Sequence, residues 1–331
     1  MKMIKIQSLL MAASLSLFLF ACKKESNSSG SGPSNADLQT QSDDENRVSN
    51  ETDAAFDDVN TSMNGQASVT GASEAAPIRY GVAVQGATAH DTVKSLICDA
   101  VVTIDTIDNT RNLTITYNGG NCQLTRVRTG SIVVSWAKGV KWATIGATFT
   151  VTFNNLKITR VLDGKSITLN GTHTYTNVTG GNIFSLNANS TAPIIHTISS
   201  TNMSITFDNG AQRNWNIARQ RSYSYNNGIV ITETGTHTEG TLTGISEWGT
   251  NRFGNDFTVQ IMNGLTVAQS CAWQLTGGRV ELINAQGTTD ITFGLNSTGQ
   301  ATSCPIGTGV YYFQLVWTGL NGKSYTFIMP Y

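Results

Sequence analysis

The residues of this chain with chemistry to offer are four histidines, five cysteines, six tryptophans and a scatter of carboxylates. Two histidines sit in a repeated tetrapeptide: Gly171-Thr172-His173-Thr174 returns, 64 residues on, as Gly235-Thr236-His237-Thr238. His173 shares the two-residue register of Leu169 and Tyr175, and His237 that of Ile229 and Ile231, so both lie along a core face. A metal or acid–base pair would need a carboxylate or cysteine at supporting spacing. Neither is there, and both read as structural histidines. His90 and His196 fall in stretches without pattern. No Gly-x-Ser-x-Gly elbow, His-Glu-x-x-His helix or phosphate loop occurs. Paired carboxylates for glycoside hydrolysis can be drawn from Glu233, Glu239, Glu247, Asp256 and Asp290, at separations that only folding sets. No catalytic residue, metal site or cofactor is assigned.

The tryptophans suggest binding rather than catalysis. Trp136, Trp273 and Trp317 lie in apolar strands and read as core. Trp142 beside Lys141, Trp215 in Arg213-Asn214-Trp215 and Trp248 in Glu247-Trp248-Gly249 are candidates for exposure, where an indole face stacks on sugar rings.

The cysteines divide by position. Lys2 and Lys5, an apolar stretch from Leu9 to Phe20, and Leu19-Phe20-Ala21-Cys22 read as a lipoprotein signal peptide over 1–22. The apolar core is shorter than the ~20 residues of a spanning helix. Cys22 is then the lipid-attachment residue of the mature chain, and its acyl chains hold the protein to a membrane. Lys23 and Lys24, with no Asp after the cysteine, direct such a protein to the outer membrane. Cys98, Cys122, Cys271 and Cys304 remain, an even number in an export compartment that permits disulfides. Three connectivities are open; Cys98 with Cys122 and Cys271 with Cys304 are preferred, because each pair closes a short loop around a strand-turn unit. Zinc is the competing reading, but the chain has no Cys-x-x-Cys and no histidine near a cysteine pair.

Composition narrows the rest. Over 331 residues the charged fraction is 13%, about half the ~25% usual for soluble domains, and 32 glycines accompany many Ser, Thr and Asn. That favours β-structure over long helices. A net charge of -1 lacks the basic footprint of a nucleic-acid binder. Residues 1–75 hold 5 basic and 10 acidic groups, against 16 and 12 in 76–331, an asymmetry too weak alone to argue docking of one part on the other.

Three segments must position these residues. A polar, small-residue tether covers 23–41. Ser42 and Glu45 form a capping box, and Val48, Thr52, Phe56, Val59 and Met63 recur at helical spacing, predicting an acidic amphipathic helix over 42–64. Its apolar stripe docks on the main domain, while Asp43, Asp44, Glu51, Asp53, Asp57 and Asp58 read as a solvated face rather than a calcium loop.

From 76 to 331 the pattern has period two, as in Thr148-Phe149-Thr150-Val151-Thr152-Phe153. Strands are predicted at Leu113–Tyr117, Ile167–Val178, Ile229–Thr238 and Phe257–Ile261. Asn118-Gly119-Gly120, Asp163-Gly164, Gly180-Gly181, Asp208-Asn209-Gly210, Asn226-Asn227-Gly228, Gly277-Gly278 and Asn321-Gly322 read as hairpin turns. Val310–Trp317, bulky on both faces, suits a strand between two layers or beneath a covering element. The expectation is an all-β antiparallel meander of about 14 strands, folded as a two-layered sandwich or a strongly curved sheet. Similar sequence around Cys122 and Cys304 suggests two halves with a soft boundary near 191–196.

Several features in order resemble a group of Bacteroidetes lipoproteins without assigned activity. They are Leu19-Phe20-Ala21-Cys22, the acidic Asp43-Asp44-Glu45 helix ending in Asp57-Asp58-Val59, and Asn121-Cys122 with Arg128-Thr129-Gly130-Ser131-Ile132-Val133-Val134. Gly240-Thr241-Leu242-Thr243-Gly244 and Asp290-Ile291-Thr292-Phe293-Gly294 complete the set. The resemblance implies address and fold, not activity. The expected protein is a lipid-anchored envelope module that binds or builds surface structure, with a glycan or another envelope protein as partner. A glycan-capture protein or carbohydrate-active hydrolase is the alternative.

Overall fold

The computed structural model describes helical positions between 40 and 63, then residues 91–93, 97–121, 124–271, 274–304 and 310–331. The signal, the tether, Cys122 and Trp273 lie outside the described residues. Sixteen strands follow the helix: β1 (Asp91–Val93), β2 (Ala100–Ile107), β3 (Thr110–Gly120), β4 (Arg126–Ala137), β5 (Ala147–Arg160), β6 (Ser166–Asn177), β7 (Ile194–Phe207) and β8 (Gln212–Tyr225), then β9 (Ile229–Gly235), β10 (His237–Glu239), β11 (Leu242–Thr250), β12 (Asp256–Ala268), β13 (Gln274–Asn284), β14 (Gly287–Leu295), β15 (Tyr312–Gly319) and β16 (Ser324–Pro330). They form one antiparallel meander sheet. The two strands beyond the expected fourteen include β1 and β10, three residues each and too short to carry a period.

The predicted helix is present, and it runs inside the sheet. Its early residue Arg47 donates to the carbonyl oxygens of Ile158 and Lys165 at one end of β5, while Met63 lies against Trp136, Trp142 and Phe149 at the other. The helix therefore lies along β5, antiparallel to it. It is touched by β3 and β4 on one flank, and by β6, β8 and the β11–β12 turn on the other. A helix is only about 10–12 Å wide, whereas strands from β3 to β11 laid flat would span more than about 30 Å. The sheet must curl around the helix, and Val48, Ala55, Val59 and Met63 join strand residues from β2 to β12 in one core cluster.

A line of β-bulges provides the curl. Register shifts fall between Thr129 and Ser131, Phe153 and Leu156, Asn170 and Thr172, and Ser199 and Met203. Because Ser131 pairs with Asn154, Phe153 with Gly171, and Thr172 with Thr201, these irregularities align across β4 to β7. Each bulge bends its strand and raises the local twist, so an aligned row makes a crease. Gly130 (φ 97°) and Gly171 (φ 122°) sit on it, and a Cβ on Gly130 would meet the Asn155 carbonyl oxygen at 2.2 Å.

Some turn predictions are corrected. Gly119-Gly120 closes β3 and Gly277-Gly278 lies within β13; a Cβ on Gly278 would stand 2.8 Å from the Gly264 oxygen, so that glycine serves close strand approach. Strand Ile229–Thr238 ends early, at Gly235. There the chain leaves the slot between β8 and β12, makes the β10–β11 hairpin, and returns to the same slot, so β9 and β11 each pair β8 and β12. The soft boundary near 191–196 falls at the entry into β7, which pairs β6 along ten registered positions from Ile167 to Asn177.

Candidate functional site

Among the described residues of the helix's acid face, Asp44 is 5% exposed and Glu51 4%, which corrects the expectation of a solvated face at these positions. The inward alternation that supplies apolar side chains also supplies arginines: in β4 Val127 points out while Arg128, in register with Ile132, Val134 and Trp136, is buried. Arg126 Nε lies 2.7 Å from Glu51, and Arg128 lies 2.6 Å from both Asp58 and Asp99. Arg160 and Lys165 hold Asp43 at 3.0 and 3.6 Å, and Arg252 holds Asp44. Burial raises the Asp58 carboxyl above its ordinary value despite Arg128 and Tyr117. For Asp43, burial is outweighed by Arg160 and Lys165, and the carboxyl is lowered. These pairs clamp the segment that follows the tether into the domain.

A second ionic cluster lies under β8, where Arg213, Trp215, Ile217, Arg219 and Arg221 alternate inward. Arg219 bonds both Glu233 (3.0 Å) and Glu247, Arg221 bonds Glu233 at 2.5 Å, and Trp215 Nε1 donates to Glu247 at 2.5 Å. Two of the five carboxylates proposed from sequence are thus brought together, but as ligands of one guanidinium. Burial would raise the Glu233 carboxyl, but Arg219 and Arg221 outweigh it and hold it low. Held low, Glu233 is not placed as a proton donor. Glu239 and Asp256 are exposed, and Asp290 pairs Arg279 at 2.6 Å, well removed in the sheet order.

Between helix and cluster is a cleft of about 390 Å³ that includes open solvent, lined by Thr52, Phe56, His173, Trp215, Arg219 and Arg221. His173, 1% exposed, packs on Phe153 and Trp215, with its Nδ1 3.4 Å from the Tyr175 hydroxyl. Burial, then Arg219, pushes its pKa down to about 3. His237 is elsewhere, stacked on Trp248 at 4.0 Å, so the two histidines make no pair. His196, read as unpatterned, is a core residue of β7 beside Trp142 and Tyr223; burial and Arg221 lower it to about 4.

Of the candidate ligand-binding tryptophans, Trp215 is 2% exposed and so buried, whereas Trp142, on Phe149 and His196, and Trp248, on His237, are half-buried. For Trp215, a single Trp flanked by polar residues is also what an alternating strand looks like. Cys271 and Cys304 form a disulfide, Cα atoms 5.2 Å apart. Cys98 is also disulfide-bonded. Its preferred mate Cys122 is outside the described residues, though the β2–β3 register brings position 98 opposite 119. Among the described residues no group of three or more His, Cys, Asp or Glu converges for a metal, and no helix is long and apolar enough to cross a membrane.

The accessible surface of interest is on β13–β16. Register places Val280, Leu282, Ile291, Leu315, Trp317 and Phe327 on one face, continuous with core residues Phe257 and Ile261 of β12. Trp317, expected in the core, is half-exposed and stacks on Tyr325 at 5.7 Å; Tyr325 is 54% and Phe327 50% exposed. Along residues 310–317, Tyr311 and Phe313 are 1% exposed beneath Tyr331, while Leu315 and Trp317 are half-buried. The chain matches no protein-family profile, no curated protein sequence and no solved structure.

Proposed function

We propose that this chain is a lipid-anchored protein of the cell envelope, held at the outer membrane through Cys22, that works as a binding or surface-structural module rather than as an enzyme. The observation that carries the binding role is the apolar face of β13–β16, on which Val280, Ile291, Leu315 and Trp317 are half-buried while Tyr325 and Phe327 at its edge are exposed, since exposed apolar surface marks interaction sites. The ionic clamp fits the anchored role, since it ties the helix next to the tether into the core, so that load on the anchor is carried by the whole sheet. The neutralised Glu233 and Glu247 argue against a hydrolase centred there. Membrane fractionation of the full chain tests the anchor: the native protein stays with membranes in high salt and Cys22→Ala does not. Native protein in the soluble fraction defeats the proposal.

The stacked Trp317–Tyr325 pair favours glycan capture as a second reading, since aromatic faces bind sugar rings. A glycan array probed with the full chain should then show binding that Trp317→Ala removes. Release of a shortened sugar would indicate hydrolysis, and a silent array would eliminate both carbohydrate readings.

A further inference from the structure

We propose that the occupant of the β13–β16 face is a second copy of this chain, so that the second layer of a β-sandwich comes from the partner protomer. The inference rests on the binding-module reading and names its partner. The face is built of Val280, Leu282, Ile291, Leu315, Trp317 and Phe327, while the charged residues Arg279, Glu281 and Asp290 are in the opposite register. Two copies can meet without burying a charge, and an isologous contact requires only one self-complementary patch.

The size is that of a small interface. Four strands with seven paired residues each cover roughly 19 by 23 Å, about 440 Å² in projection. Two such faces total about 900 Å², in the range of weak or transient contacts below ~1,200 Å². A lipid headgroup layer is a poorer match, because the face presents no Lys or Arg to anionic lipid. Proteins sharing one membrane also meet their own copies at high local concentration.

The test uses the full chain in its own membranes, as two differently tagged copies carrying a benzophenone amino acid at position 327. As a control, the probe is placed at 326, which faces the other way. Irradiation should give an adduct with both tags from position 327 and not from 326. Leu315→Asp should cut co-purification of the two tags at least tenfold and leave the circular dichroism spectrum unchanged, because Leu315 is half-buried and lies outside the core cluster. Equal adducts from both positions, or co-purification that survives Leu315→Asp, would overturn the proposal. An adduct from 327 to a different protein overturns self-association but keeps the binding-module reading, whereas no protein adduct at all removes both.

Discussion

The carboxylate of Asp44 accepts two hydrogen bonds from the guanidinium of Arg252, which is 208 residues further along the chain. The pair joins the start of the helix to the β11–β12 turn, and Arg252 also covers the Phe207 ring at 3.8 Å. It thereby closes one end of the curled sheet over the helix.

Removing one partner leaves the other as a buried, unpaired charge. With side chains only 13% and 7% exposed, Asp44→Asn or Arg252→Ala should cost about 3 kcal/mol. Denaturant unfolding measures this directly. The double substitution should cost less than the sum of the two singles, and simple additivity would show that the pair is not formed.

The crease predicts unequal costs for the same substitution at different glycines. Gly130→Ala brings a Cβ to 2.2 Å from the Asn155 oxygen, whereas Gly164, at φ 71° in the β5–β6 turn, has open space around its Cβ position. Gly164→Ala should cost about 1 kcal/mol for left-handed backbone alone. Gly130→Ala adds overpacking of about 1–3 kcal/mol. Equal unfolding midpoints for the two variants would show that the bulges do not hold the curve.

Acid should weaken the fold through its buried histidines. His173 and His196 have folded pKa values near 3 and 4, below the unfolded 6.5, so the unfolded chain binds more protons between these values. Their contribution is fully present above pH 6.5 and is lost as pH falls, by up to about 1.4 kcal/mol per pH unit for each ring. Lowered Glu233 acts in the same direction at lower pH, and raised Asp58 opposes it. Stability measured from pH 7 to pH 4 should fall, and His173→Gln should flatten the slope. A level profile for the native chain would contradict the burial of these rings.

The Cys271–Cys304 bridge closes a loop with a sequence separation of 33 residues. Chain-entropy reasoning gives a loop of that size roughly 3–4 kcal/mol. Cys304→Ser should lower the unfolding free energy by about that amount. An unchanged midpoint would show that the loop is already ordered in the unfolded chain.

Much of this fold is legible in the sequence because period two and hairpin glycines are local signals. Phe149, Val151 and Phe153 point inward as their alternation requires. What was not legible depends on contacts distant in the chain. The acid face of the helix carries the same residues as a solvated one, and only Arg126, Arg128, Arg160 and Arg252 turn it inward. The alternation Arg213-Trp215-Ile217-Arg219-Arg221 did hold a readable signal, since it puts guanidiniums in the register of a Trp and an Ile. The Gly-Thr-His-Thr echo shows how one string serves two purposes: Gly171 takes a positive φ at a bulge, while Gly235 makes room for the Gly244 carbonyl, 2.0 Å from where its Cβ would be. How deeply a strand residue is covered, as with half-buried Trp317 beside fully buried Phe313, has no local signature at all.

The anchored-module account depends most on the amino end of the mature protein. Intact-mass and peptide mass spectrometry of the full chain extracted from membranes should find a chain beginning at Cys22, carrying a thioether-linked diacylglycerol. A mature chain that begins elsewhere, or an unmodified Cys22, would contradict it.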